Sequence, residues 1–225
     1  MVRAIVLAAG ASSRMGRAKA VLPLGPTGET VLARVIRGLL AGGVTDVTVV
    51  AGAHIDAVRS AMPSTDRRLH LVEHHGWEQG QLSSLVAGLD AVAGPQLEAV
   101  LVTLVDVPLV RPDTVASVIG AWRSSRAPIT RPVDGDRHGH PVIFDRSVFD
   151  ELRAADPRVG AKAVFATHRT RILDVPVKDD GAFIDLDTPS DYERVRQVLQ
   201  VRPVPRVRKP GEPDEPEEPD EPIRP

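Results

Sequence analysis

Val2-Arg3-Ala4-Ile5-Val6-Leu7-Ala8-Ala9-Gly10-Ala11-Ser12-Ser13-Arg14-Met15-Gly16-Arg17-Ala18-Lys19, at the N-terminus, is the most informative stretch of the chain. Val2 to Leu7 is a short, nearly continuous apolar run, the pattern of a strand buried on both faces. It gives way to small residues, which let backbone N–H groups approach a ligand closely and form a fixed source of positive potential. Arg14 carries a planar fork suited to phosphate oxygens, and Lys19 a compact positive charge. A strand running into such a turn predicts a polyphosphate site built from Leu7, Ala8, Ala9, Gly10, Ser12, Ser13, Arg14 and Lys19. An ordinary βα turn with exposed bases is the competing reading. The turn matches neither the dinucleotide fingerprint G-x-G-x-x-G nor a Walker loop.

Moving outward, helical and strand-like patterns alternate. Val31, Leu32, Val35, Ile36, Leu39 and Leu40 recur at helical spacing before Gly42-Gly43, and Asp46 to Ala51 reads as a second strand. A short helix over Ile55 to Met62, a strand at Leu69 to Glu73, a helix over Leu82 to Val92 and a strand at Ala99 to Val105 follow. Pro112 suits the first turn of a helix within Arg111 to Arg126. Successive βαβ units of this kind predict an α/β fold: three layers around a mostly parallel, Rossmann-like sheet. Ile129 to Phe144 reads as an irregular polar insertion between short strands. Ala182 to Leu186 reads as the closing element, with Thr188, Pro189 and Asp191 opening a last helix to about Leu199.

The chain has 225 residues and no cysteine, which excludes disulfides, thiolate metal sites and a cysteine nucleophile. It carries 28 Lys+Arg against 30 Asp+Glu; Arg202 to Pro225 holds five of the former and seven of the latter, leaving 23 of each. A formally neutral body argues against a nucleic-acid footprint, and no apolar run approaches the roughly 20 residues of a membrane span. A cytoplasmic enzyme is expected. Residues 1–201 read as one domain and 202–225, rich in proline and acids, as a disordered tail. The tail's acidic block reads first as a solvated segment; the competing reading is a docking segment for a basic partner.

Leu7 to Lys19 resembles the L-A-A-G-x-S-x-R-M-G-x-x-K signature of the molybdenum-cofactor nucleotidyltransferases, especially their cytidylyltransferase branch. Trp77-Glu78-Gln79-Gly80-Gln81-Leu82-Ser83-Ser84-Leu85 is similar to the branch's W-x-x-G-M-x-x-S-L element. Asp106-Val107-Pro108 resembles D-x-P, Gly139-His140-Pro141-Val142 resembles G-[NH]-P-V, and Asp185-Leu186-Asp187-Thr188-Pro189 resembles D-[IL]-D-T-P. Gln81 in place of methionine, and His74-His75 in place of Asn-Pro, depart from the pattern. The resemblance covers residues 1 to 200. It implies a nucleotide-diphospho-sugar transferase-like fold, a nucleoside triphosphate donor with CTP favoured, magnesium, and a molybdopterin-type anionic acceptor. It also makes a molybdoenzyme or its chaperone the natural partner for the tail. GTP as donor, a phospholactate-type acceptor, or an oxidoreductase reusing the fold for a reduced nicotinamide dinucleotide are the alternatives.

Asp106 follows a buried strand, so it stands at a carboxyl end of the sheet, where open α/β sheets bind ligands. There a carboxylate suits Mg²⁺ bridging a triphosphate; helix capping is the bland alternative. Asp185 and Asp187, two apart, point the same way if a strand runs through them, so one of them can complete the metal site; Asp187 capping the last helix with Thr188 is the alternative. Gly80, Ser83 and Ser84, near a helix start, suit the nucleotide or simple capping. His140, with Arg137 and His138, suits an anionic second substrate or an ordinary polar loop. His74-His75 lack a third metal ligand at suitable spacing.

Overall fold

The computed structural model describes residues 1–63 and 66–201. In chain order the main elements are β1 (Val2–Ala8), β2 (Pro23–Leu24), β3 (Glu29–Thr30), α1 (Val31–Ala41), β4 (Val47–Ala51), α2 (Ile55–Ala61), β5 (Leu69–Glu73), α3 (Gln81–Val92) and β6 (Ala99–Leu104). There follow α4 (Pro112–Ser125), β7 (Ile129–Asp134), β8 (Arg137–His138), β9 (Val142–Asp145), α5 (Phe149–Ala154), α6 (Lys162–Thr167), β10 (Ile172–Pro176) and α7 (Pro189–Val201). One large sheet runs β10-β7-β9-β6-β1-β4-β5, with β8 paired to β7. The pairs β6/β1, β1/β4, β4/β5 and β7/β10 are parallel, whereas β9 is antiparallel to both neighbours.

Strand alternation sorts β1 between two cores. Val2, Ala4, Val6 and Ala8 pack with α1 (Val31, Leu32, Val35), α4 (Val115, Val118, Trp122) and α7 (Val195). Ile5 and Leu7 face the other way, against α3 (Leu82, Leu85, Leu89) and α5 (Phe149, Leu152). The expected three layers are therefore present. Every parallel strand of the first half ends its C-terminus on the same edge, which gathers the turns after β1, β4, β5 and β6.

Two segments differ from the sequence reading. Ile129 to Phe144 is no irregular insertion: Ile129, Thr130, Ile143 and Phe144 are buried in β7 and β9, which extend the sheet by hairpin-like antiparallel pairing. Ala182 to Leu186 forms no strand. Residues Asp180–Phe183 make a 3₁₀ turn and the chain then runs irregularly to α7, so the same-face argument for Asp185 and Asp187 does not hold. Pro176 ends β10 on the sheet edge, where no N–H is needed. At α7 the reciprocal cap forms as read: the Asp191 carboxylate accepts from the Thr188 N–H at 2.9 Å, and the Thr188 hydroxyl accepts from the Asp191 N–H at 3.2 Å. The tail expected over 202–225 lies outside the described residues.

Candidate active site

The turn after β1 is held from two sides. Ser12 sits at φ 51°, and its carbonyl accepts from the N–H groups of Met15 and Gly16, while its hydroxyl accepts from the Lys19 N–H. On the other side Ala53 N–H donates to the Ala9 carbonyl at 3.0 Å. A side chain at Gly52 would lie 2.7 Å from that carbonyl and 2.6 Å from Trp77, so glycine is what lets the end of β4 approach both.

Beneath this turn lies a cleft of about 370 Å³. Leu7, Ala8, Ala9, Gly10, Ser12, Lys19, Gly80, Ser84 and Asp106, all singled out from sequence, line it together with His54, Trp77, Glu78 and Gln81. Ser13, Arg14 and Ser83 do not. Arg14 is largely exposed and pairs with Asp187 at 3.0 Å. The Ser83 hydroxyl is spent on the Gly80 carbonyl at 2.7 Å and on the His74 ring at 3.0 Å, so it ties down the loop that presents Trp77 and Glu78. His74 thus has a hydrogen-bonding task and no metal set. His54 was missed by motif reading; it reaches the Ala11 carbonyl at 2.9 Å. The signal for it was positional, since it follows the C-terminal end of the strand beside β1.

Lys19 is not a solvated base. It is buried, and its ammonium lies 2.9 Å from Asp106 and 2.8 Å from Asp187. Burial alone works against the charged ammonium, but hydrogen bonds and attraction from Asp187 and Asp106 outweigh it and raise its affinity for the proton. The bond from Lys19 holds the Asp187 carboxyl below its ordinary value. Asp185 is driven upward, first by burial and then by the like charge of Asp106. Asp106 also keeps one carboxylate oxygen, Oδ1, buried and without a hydrogen-bond partner. Among the described residues no three acidic or histidine side chains converge closely enough to hold a metal by themselves. The unpartnered Oδ1 of Asp106, with Asp185 and Asp187 close by, is a donor set for a hard cation completed by phosphates and water, since Mg²⁺ usually takes one or two protein carboxylates. The residues present therefore fit such an ion.

The loop carrying Asp185 and Asp187 is pinned at several points. Leu186 N–H donates to the Asp106 carbonyl at 2.7 Å, and His140 N–H to the Ala182 carbonyl at 2.9 Å. Buried Asp179 accepts from the Arg111 N–H and the Thr114 hydroxyl, at 2.8 and 2.7 Å, and from the Gly181 N–H at 3.2 Å.

A second cleft, of about 390 Å³, shares Leu7, Gln81 and Leu104 with the first. Its floor is apolar and aromatic, with Leu82, Leu85, Val142, Phe144 and Phe165, and its polar groups include Arg131, His138, His140, Arg158 and Lys162. Arg137, read with His138 and His140, instead pairs with Asp134 and Asp180 over the Phe183 ring. His140 Nδ1 is buried without a partner. Burial holds its imidazole below the ordinary value near 6.5, against smaller opposing pulls from the Val102 carbonyl, Asp185 and Asp106. Well above that pH the histidine is neutral folded or unfolded. As the pH falls through it the unfolded chain takes the proton and the folded one resists, so stability drops. His140→Gln is expected to flatten the fall in Tm between about pH 7 and about pH 5; an unchanged slope rules out this histidine as its source.

Comparison with known proteins follows the same lines. The family described as MobA-like NTP transferase domain matches residues 4–172. The nicotine blue oxidoreductase of Paenarthrobacter nicotinovorans is 30% identical over 194 residues, covering 83% of this chain and 92% of its own length. A probable molybdenum cofactor guanylyltransferase of Mycobacterium avium is 34% identical over 134 residues, covering 60% of this chain and 64% of its own. The crystal structure of Rv0371c from Mycobacterium tuberculosis is 29% identical, superposes with a TM-score of 0.73, and covers 87% of this chain and 98% of its own. Another crystal structure of Rv0371c is a complex with manganese. Among the described residues no helix is long and apolar enough to cross a membrane.

Proposed function

Since the chain belongs to the family of MobA-like NTP transferase domains and is a nucleotidyltransferase, we propose that it transfers a nucleotidyl group, from CTP by preference, to a phosphate of a molybdopterin-type acceptor. The observation that carries this reading is the pair of clefts sharing one wall, with Lys19 and Asp106 in the first and His140 in the second. The first cleft takes the triphosphate. The second is lined by apolar and aromatic side chains and several basic groups, which suits a ring system bearing an anionic group.

In the reaction a phosphate oxygen of the acceptor attacks the α-phosphorus. A new P–O bond forms as the bond to the β-phosphate oxygen breaks, and its electron pair leaves with pyrophosphate. No protein nucleophile is required. Lys19 and Arg14 neutralise charge gathering on the departing pyrophosphate, while the backbone of Ala8 to Ser12 positions the triphosphate. A divalent cation, Mg²⁺ in this reading, would be held by Asp106 with Asp185 or Asp187 and would neutralise phosphate charge. Gly80 and Ser84 contact the nucleoside, and His140 faces the acceptor. Ser83 contributes by holding the 76–80 loop.

CTP is favoured by Ala9 in the turn and by Ser83-Ser84-Leu85 after Gly80, the pattern similar to the cytidylyl branch. Competition binding with the four nucleoside triphosphates checks this: CTP is expected to bind most tightly, and tighter GTP binding assigns the chain to guanylyl transfer.

A second reading, an oxidoreductase using a reduced nicotinamide dinucleotide and an aromatic substrate, is favoured by one observation. The relative named nicotine blue oxidoreductase aligns over nearly its whole length, and the second cleft is floored by Phe144 and Phe165. Pyrophosphate release and nicotinamide oxidation, measured side by side, separate the two. Metal-dependent pyrophosphate release with a molybdopterin acceptor is the expected outcome, and nicotinamide oxidation without it overturns the transferase reading.

A further inference from the structure

The contacts of Lys19 carry an inference about when a metal enters the site. Its ammonium touches Asp106 Oδ2 at 2.9 Å and Asp187 Oδ1 at 2.8 Å, bridging residues from two distant parts of the chain. Arg14 meets the same Asp187 oxygen at 3.0 Å. A side chain that is only 10% exposed and held by two carboxylates is a seated cation, in contrast to a lysine waiting in solvent for a phosphate. A divalent ion held by Asp106 and Asp187 would compete with the ammonium that both carboxylates already contact, and would repel it besides. With Lys19 seated, a lone ion is left the unpartnered Oδ1 of Asp106 and the carboxylate of Asp185, at most two protein groups beside a positive charge, too few to retain it without phosphate oxygens.

We propose that Lys19 is a resident counter-cation that excludes a divalent ion from the Asp106–Asp187 pair until a nucleoside triphosphate arrives. The polyphosphate draws Lys19 and Arg14 onto its own oxygens, the carboxylates are released, and the metal enters with the nucleotide instead of ahead of it. A ligand shifts such an arrangement only by binding one form better than the other. The triphosphate meets that requirement, because its negative charge competes directly with the two carboxylates for the same two cations. The inference rests on the transferase reading only for the identity of the polyphosphate; the exclusion of metal stands on the ion pairs alone.

The test is Mn²⁺ binding to the full-length protein without nucleotide, followed by the paramagnetic resonance of free Mn²⁺. Weak binding is expected for the parent chain. Lys19→Met is expected to bind Mn²⁺ alone about tenfold or more tightly, the scale of removing one like charge at contact distance. Lys19→Gln, which keeps a hydrogen-bond donor but no charge, is expected to do the same and serves if the methionine variant fails to fold. Adding Asp187→Asn to either variant is expected to cancel the gain. If folded Lys19→Gln binds Mn²⁺ no more tightly than the parent, or the parent already binds one Mn²⁺ tightly without nucleotide, the proposal is overturned. Neither result depends on turnover, so a failed transferase assay and a failed exclusion are told apart.

Discussion

Asp106→Asn is expected to lower metal-dependent turnover about a thousandfold while leaving the chain folded, the upper range for losing a charge contact that acts in the transition state. The substitution keeps the shape of the side chain and one hydrogen-bond acceptor for Lys19, but removes the charge that a hard cation requires. The folded state retains the Lys19–Asp187 pair, so the loss of stability is expected to stay below the roughly 3–5 kcal/mol of a buried charge left with no partner. Turnover measured across a Mg²⁺ titration, with a thermal melt of the same sample, checks both halves. A variant with the parent's metal dependence shows that Asp106 does not hold the ion.

The second large effect is expected at Gly181, where an added methyl would overlap the Leu109 carbonyl. Ordinarily a loop glycine shifts to accommodate alanine. Here the segment cannot shift, because the Asp179 carboxylate accepts from the Gly181 N–H and from the start of α4, and Ala182 is bonded to His140. Gly181→Ala is therefore expected to cost about 3 kcal/mol, which lowers Tm by roughly 6–12 °C in a chain of this size. It is also expected to weaken metal activation by displacing Asp185 and Asp187. Gly120→Ala, on the exposed face of α4 with open space around it, is the control and should be neutral or slightly stabilising. A melt of Gly181→Ala within a degree of the parent shows that the segment adapts after all.

The first half of this fold was legible because its strands are apolar runs and its helices keep a clean 3.6-residue period. The bounds read for Leu69–Glu73 and for the helix from Val31 match the elements closely. The second half was less so. β7 carries Arg131, Pro132 and Asp134 among its buried residues, which blurs the strand pattern, and α5 and α6 have six residues each, too few for a period to show. In the site, the turn after β1 and the carboxylate after β6 were readable from position on the sheet. The pairing of Lys19 with Asp106 and Asp187 was not, since it joins residues 87 and 168 positions apart, and no local pattern records such a contact. Arg158 and Lys162 escaped for the same reason, whereas His54 had a positional signal after β4 that motif matching does not use.

The two clefts draw on different lengths of chain. Every residue lining the first lies at or before Asp106, whereas the second combines the same N-terminal wall with residues from Arg131 to Phe165. Inheritance can therefore act on the two separately. Drift, insertion or replacement between Arg131 and Phe165 remodels what is accepted while the donor end stays intact, because among the described residues the two linings share only Leu7, Gln81 and Leu104. A lineage built this way diversifies within that stretch, ahead of Asp185 and Asp187, and substitutions at those three shared positions are the ones that both ends must tolerate at once.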